Sequence, residues 1–105
     1  MIARTWTGRT PHEKSEAYLD YVLRTGVEEQ RRTPGNLGSW VLRRRLGDEA
    51  EFVVMSLWDS LESVKAFAGK DIDKARYYRE DDDYLVDKPL HVVHHDVAHG
   101  PVKDG

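Results

Sequence analysis

The stretch EFVVMSLW, residues 51–58, decides the fold. Rich in β-branched and apolar side chains, and free of Gly and Pro, it reads as a strand. A strand with one wet face alternates apolar with polar residues. This one does not: Phe52, Val54 and Trp58 fall on one side, and Val53, Met55 and Leu57 on the other. Both faces are therefore expected to be covered. A chain of 105 residues has the length of one domain and supplies a single covering layer. The second cover is assigned to another copy of the chain packing sheet to sheet, which predicts a homodimer.

Working outward toward the N-terminus, SWVLRRRL (39–46) is a second strand, and the tight turn GDEA (47–50) makes the two an antiparallel hairpin. TPGNLG (33–38) is dense in turn formers and separates this hairpin from a helix. That helix opens at TPHE, with Thr10 as N-cap, Pro11 at the first helical position and Glu13 completing a capping box. Ala17, Tyr18, Tyr21, Val22 and Thr25 form its apolar stripe, Leu19 and Leu23 widen it, and Gly26 offers a stop, with VEEQRR available as a further turn. IARTWT (2–7) is the first strand.

Toward the C-terminus, DSLE restarts a helix with Asp59 as cap and Glu62 three residues later. Leu61, Val64 and Ala68 share a face, Phe67 adjoins it and Gly69 closes the helix. DIDKARYY offers a second short turn, REDDDY is an acidic loop, and LHVVHHDVA (90–98) is the last strand. The order βαββαβ predicts an α+β, ferredoxin-like domain over residues 1–98. In it a four-stranded antiparallel sheet carries both helices on one face, and pairing of two copies forms a dimeric α+β barrel. Residues 99–105 are expected to be a frayed C-terminal tail.

Composition narrows the function. Charged residues make up 33% and the net charge is −3, so a nucleic acid is not an expected partner. The absence of cysteine excludes disulfides, thiolate metal sites and cysteine nucleophiles. The N-terminus has no apolar leader core, and the longest apolar run, Phe52 to Met55, is too short to span a bilayer. A cytoplasmic protein with no membrane partner is expected.

The join SLWDSLESVKAF (56–67), with the opening MIAR, the GR-TP approach to the first helix, TPGNLG, AGKDIDKARYY and the closing V-x-H-H-D, resembles the antibiotic biosynthesis monooxygenase family over residues 1 to about 98. The resemblance implies a dimeric α+β barrel with a hydrophobic pocket between sheet and helices. It also implies oxidation of a polycyclic phenol by dioxygen with no cofactor and no metal. The expected activity is therefore that of a cofactor-independent monooxygenase acting on an aromatic or quinol-like small molecule. The alternative is a non-catalytic dimeric small-molecule-binding or stress-response domain. A related haem-degrading branch is a third reading. It uses an asparagine on strand one, the tryptophan at the join and a histidine ligand after it; here only the tryptophan is present, and Tyr77 stands where the ligand is expected.

Trp58 matches the family's tryptophan at the join and is the expected pocket wall. Trp6 and Arg4 share a face of strand one and are expected to bind substrate with it. Tyr77 and Tyr78 are placed at the mouth, Tyr78 in binding and Tyr77 in proton transfer. Each aromatic also has a plain packing reading. The run RRR (43–45) reads as protection of an edge strand, and EDDD (80–83) as a solvated loop.

HVVHHDVAHG (91–100) holds four of the five histidines. On a strand His91, His95 and His99 share one side but each stands about 13 Å from the next, and His94 and His95 face opposite ways, so no metal site is expected. What remains is His94 with Asp96, two residues apart, as a carboxylate-oriented imidazole for proton transfer.

Overall fold

A computed structural model describes residues 1–100 of the chain. Part of the expected tail, 101–105, lies outside the described residues. The elements are β1 (Ile2–Pro11), α1 (Ser15–Val22), a π-helical turn (Leu23–Val27), α2 (Glu28–Arg32), β2 (Asn36–Leu46), β3 (Glu49–Trp58), α3 (Leu61–Ala68), a 3₁₀ turn (Arg79–Asp83) and β4 (Val93–Asp96). The sheet is antiparallel in the order β2-β3-β1-β4. This is the ferredoxin-like α+β arrangement, with the helices on one face.

Register sorts the side chains into two layers. Trp6, Val54 and Val41 lie opposite one another on the helix side, and Thr5, Met55, Trp40 and Val93 on the other. Phe52, Val54 and Trp58 are buried on the helix side, the first two in a cluster with Tyr18, Tyr21, Val22 and Val27. Across the sheet, Leu42 is 50% and Val93 54% exposed, and Trp40 and Leu46 are also open. The second apolar row read in β3 lies on this face, with Val53 and Met55 half-buried and Leu57 buried. β2 is an edge strand, as expected of RRR, and Arg43 and Arg44 pair with Glu16 and Glu51, each at 2.8 Å.

Three local expectations give way to tertiary pairing. Thr10 does not cap a helix: β1 runs on to Pro11, Thr10 is fully buried opposite Ala50, and its hydroxyl donates to Pro11 O at 3.0 Å. The ladder to β3 supplies more backbone hydrogen bonds than a local cap could. Gly26 does not stop the first helix, which passes through it in a π turn and continues as α2. Ser60, not Asp59, caps α3 by accepting from Ser63 N at 3.3 Å; Asp59 Oδ1 instead accepts from the Ser63 hydroxyl at 2.5 Å. Gly69 closes α3 with φ +86°, as expected of a glycine there. DIDKARYY opens with the short turn expected of it, Lys74 N donating to Asp71 O at 3.2 Å, and then runs on as an extended strip. Its backbone pairs with residues 90–92 through Ala75 N to Leu90 O at 2.9 Å and Val92 N to Asp73 O at 2.8 Å. That pairing shortens β4 to Val93–Asp96.

Candidate functional site

A cavity of about 80 Å³ lies between the sheet and the helical layer. The period-two alternation of β1 turns Arg4 and Trp6 toward it, and Val54 of β3 forms its floor. Trp6 lies back over Gly8, where a Cβ would stand 2.3 Å from the indole ring; only glycine allows that approach. Tyr18 and Val22 come from α1, Thr25 and Gly26 from the π turn, and Glu29 and Gln30 from α2. The extra residue in a π turn shifts the helix phase, and such turns recur at functional sites. Phe67, Arg76, Tyr77, Tyr78, Asp81 and Val92 complete the wall.

The aromatic side is hydrogen-bonded. Trp6 Nε1 donates to the Tyr77 hydroxyl at 2.9 Å, and that hydroxyl donates to Pro89 O at 2.5 Å. Both roles of the Tyr77 oxygen are thus filled, and burial pushes its pKa up. Its ring lines the cavity. Opposite it, the Tyr78 hydroxyl donates to Glu29, and Arg76 Nη1 reaches both Glu29 Oε1 at 2.8 Å and Phe67 O at 2.6 Å. These contacts latch the 74–78 strip onto α2 and α3. Burial works against the Glu29 charge, but the hydrogen bonds from Tyr78 and Arg76 outweigh it and hold its pKa below the usual range. Tyr78 is pushed up to about 12, by burial first and then by Glu29.

Arg4 is 4% exposed and braced on every side by the chain. It donates to Ile72 O, to Lys74 O at 3.3 Å and to His94 Nε2 at 3.0 Å. A guanidinium has no acceptor, so Nε2 is the bare nitrogen and Nδ1–H faces Asp73 Oδ1 at 3.2 Å. Burial, then the nearby Arg4 charge, lowers the His94 pKa despite Asp73. The sequence pairing of His94 with Asp96 is corrected: period two holds those residues about 7 Å apart along the strand, whereas the 71–74 strip brings Asp73 into contact. His94 is not among the residues lining the cavity, and its two nitrogens are engaged by Arg4 and Asp73.

Trp58 is displaced from its expected place as well. It is fully buried, its Nε1 donates to Ser56 Oγ at 2.9 Å, and its ring stacks on Phe67 at 5.5 Å. Phe67 is the wall, and Trp58 stands behind it. Trp6, Arg4, Tyr77 and Tyr78 do converge on one cavity.

Sequence reasoning missed four polar wall residues, Gln30, Asp81, Glu29 and Arg76. Gln30 is 7% exposed, and its side-chain oxygen has no hydrogen-bond partner. Asp81, 6% exposed, accepts from Tyr78 N at 2.6 Å through Oδ2, and burial raises its pKa. Glu29 carries the latch. Gln30 on an otherwise apolar helix face is a legible signal only once the π turn is known; Asp81 is indistinguishable from its acidic neighbours. Among the described residues no group of three His, Asp or Glu could hold a metal ion.

Comparison with known proteins gives a consistent outcome. The antibiotic biosynthesis monooxygenase family profile matches residues 1–75. A provisionally assigned antibiotic biosynthesis monooxygenase from Nitrosomonas europaea superposes with TM-score 0.66 at 18% identity, covering 94% of this chain and 100% of that one. One from Bacillus cereus, assigned in the same way, gives 0.68 at 16%, covering 97% of each. The haem degrader MhuD from Mycobacterium tuberculosis, with two haems in its active site, gives 0.59 at 17%, covering 97% of this chain and 100% of that one. The curated proteins contain no match to this sequence. With 75 of its residues matched by the family profile and this fold throughout, the chain belongs to the antibiotic biosynthesis monooxygenase family.

Proposed function

We propose that the chain is a cofactor-independent monooxygenase that oxidises an aromatic or quinol-like small molecule with dioxygen. The observation that carries this reading is the cavity itself: aromatic walls from Trp6, Tyr77 and Phe67, one buried cation, Arg4, and one buried carboxyl, Asp81, on the same surface. An electron-rich ring that loses a proton can pass an electron to dioxygen directly. A ring methylene then loses two hydrogens and gains one oxygen atom, and the second oxygen leaves as water, so no external reductant is required. The protein must hold the ring, accept the proton and exclude water. Asp81 suits the second task, because a raised pKa brings a carboxylate closer to a useful base.

A dry cavity of about 150 Å³ holds benzene. The cavity here is smaller and half open, so a one-ring ligand needs it to widen, and release of the Tyr78–Glu29–Arg76 latch would widen it. The open apolar sheet face around Leu42 and Val93 supports a homodimer, which would cover it with the same face of a second copy. No helix among the described residues is long and apolar enough to cross a membrane.

The decisive experiment incubates metal-free protein with a panel of anthrones, quinols and flavonoids and follows oxygen uptake and product. If no member is bound or oxidised, the proposal fails. The filled hydrogen-bonding roles of His94 and Tyr77 favour one second reading, a binding domain without turnover, which a co-purifying, chemically unchanged ligand would establish. Haem fits poorly. The residue in the ligand position, Tyr77, has its oxygen committed to Trp6 and Pro89, and a macrocycle far exceeds the cavity.

A further inference from the structure

Arg4 is a buried cation without a contacting counter-ion. Its partners are two carbonyl oxygens and an imidazole nitrogen. The charged groups around it are otherwise occupied: Asp73 contacts His94, and Arg76 is paired with Glu29, which Tyr78 also holds. Asp81 lies on the same cavity wall, with one oxygen on the Tyr78 amide. Of the five N–H donors of a guanidinium, the chain takes three. Burying a charge without a counter-charge is costly, and arginine does not escape by losing its proton near neutrality. A buried side chain held by β1's partner strand and by the 72–74 strip, and left with spare donors on a cavity wall, has the form of an anion-binding group.

We infer that Arg4 is the oxyanion-binding residue of this cavity, that its ligand is an aromatic ring bearing one ionised oxygen, and that the His94–Asp73 pair positions the guanidinium for it. The inference rests on the proposed aromatic-binding function and narrows its substrate class. Phe67 adds to the fit: both Arg4 and Arg76 stand over its ring, at 5.7 and 5.1 Å from its centroid, so a flat anion would meet cations beside an aromatic surface. His94 cannot act as a second anion-binding donor, since its one N–H is turned to Asp73.

The test uses two one-ring probes, 4-nitrophenol and its neutral relative nitrobenzene, followed by quenching of tryptophan fluorescence and by the phenolate absorption band. In the unaltered protein, bound 4-nitrophenol should ionise about one unit or more below the free compound, because an opposite charge at contact distance lowers a pKa by roughly 1–3 units. Phenolate then binds at least about tenfold more tightly than phenol. Arg4→Met should remove that shift and leave nitrobenzene affinity within about threefold. His94→Ala should shrink the shift with nitrobenzene unchanged, whereas a purely structural role for His94 would weaken both probes alike. If nitrobenzene binds and the 4-nitrophenol shift is absent, or persists in Arg4→Met, the oxyanion assignment is overturned and the aromatic cavity stands. If neither probe binds, the proposed aromatic-binding function falls and the inference with it. Should Arg4→Met not fold, Arg4→Lys decides: loss of the planar fork should cost phenolate at least about threefold, and an unchanged affinity for both probes overturns the assignment.

Discussion

Gly26 offers the sharpest separation of stability from function in this molecule. It sits inside a continuous helical segment, in the π turn, and it lines the cavity. A Cβ built on it meets no atom within 4 Å. Gly26→Ala therefore creates no clash, and replacing glycine by alanine within a helix contributes roughly 0.5–1 kcal/mol. For a chain of this size that corresponds to a rise in Tm of roughly 2–8 °C. A glycine retained at such a cost to stability is explained by the space it leaves. Gly26→Leu extends an apolar side chain into a cavity of about 80 Å³, already smaller than one benzene ring requires. The expected outcome is a Tm at or above that of the parent for both variants. Aromatic probe binding should be weakened severalfold in Gly26→Ala and by more than about tenfold in Gly26→Leu. Differential scanning calorimetry and fluorescence titration read the two quantities independently. Unchanged probe affinity in Gly26→Leu would refute the claim that ligands occupy this cavity, and a large fall in Tm would refute the claim that the position is free space.

Other residues give equally direct checks. Leu42→Asp, on the open sheet face, should convert a dimer to monomers in analytical ultracentrifugation with circular dichroism unchanged; a monomeric parent protein would sink the dimer proposal. Trp58→Ala should destabilise by about 3–5 kcal/mol in urea unfolding because it empties a fully buried site, whereas Trp58→Phe should keep probe binding. Probe binding lost in a stable Trp58→Phe would restore Trp58 as a direct contact. Asp81→Asn should lower kcat by about 100- to 10,000-fold on any identified substrate while KM changes little, and full activity would remove Asp81 as proton acceptor. The folded-state pKa of Glu29 is depressed, so its contribution is present above the ordinary glutamate value and is lost as pH falls through the lower folded value. The protection of amides 74–78, taken against intrinsic exchange at each pH, should therefore fall over that acid range, and Glu29→Gln should abolish that fall.

The two-faced β3, the hairpin and the edge position of β2 were legible because strand periodicity and turn chemistry are local signals. Trp6 and Arg4 were placed on one wall by the same alternation. The errors have a common physical origin. Thr10, Asp59 and the Gly26 stop are local preferences, each worth about 1 kcal/mol, and ladder pairing or helix packing overrode them. The partners of His94 were not legible, since Asp73 and Arg4 reach it from distant parts of the chain. Trp58 and Phe67 could not be told apart as wall and backing, because that order depends on how α3 settles on the sheet.

The π turn also bears on how a site like this diversifies. A regular helix advances about 100° per residue. A π turn takes in one residue more than a regular turn, so the stretch Leu23–Val27 absorbs a residue that a regular helix would answer by turning Glu29 and Gln30 about that angle away from the cavity. The facing of the polar lining thus depends on chain length at one point, as well as on the residues that form it. A one-residue change of length there that the helix did not absorb would exchange the cavity's chemistry in one step.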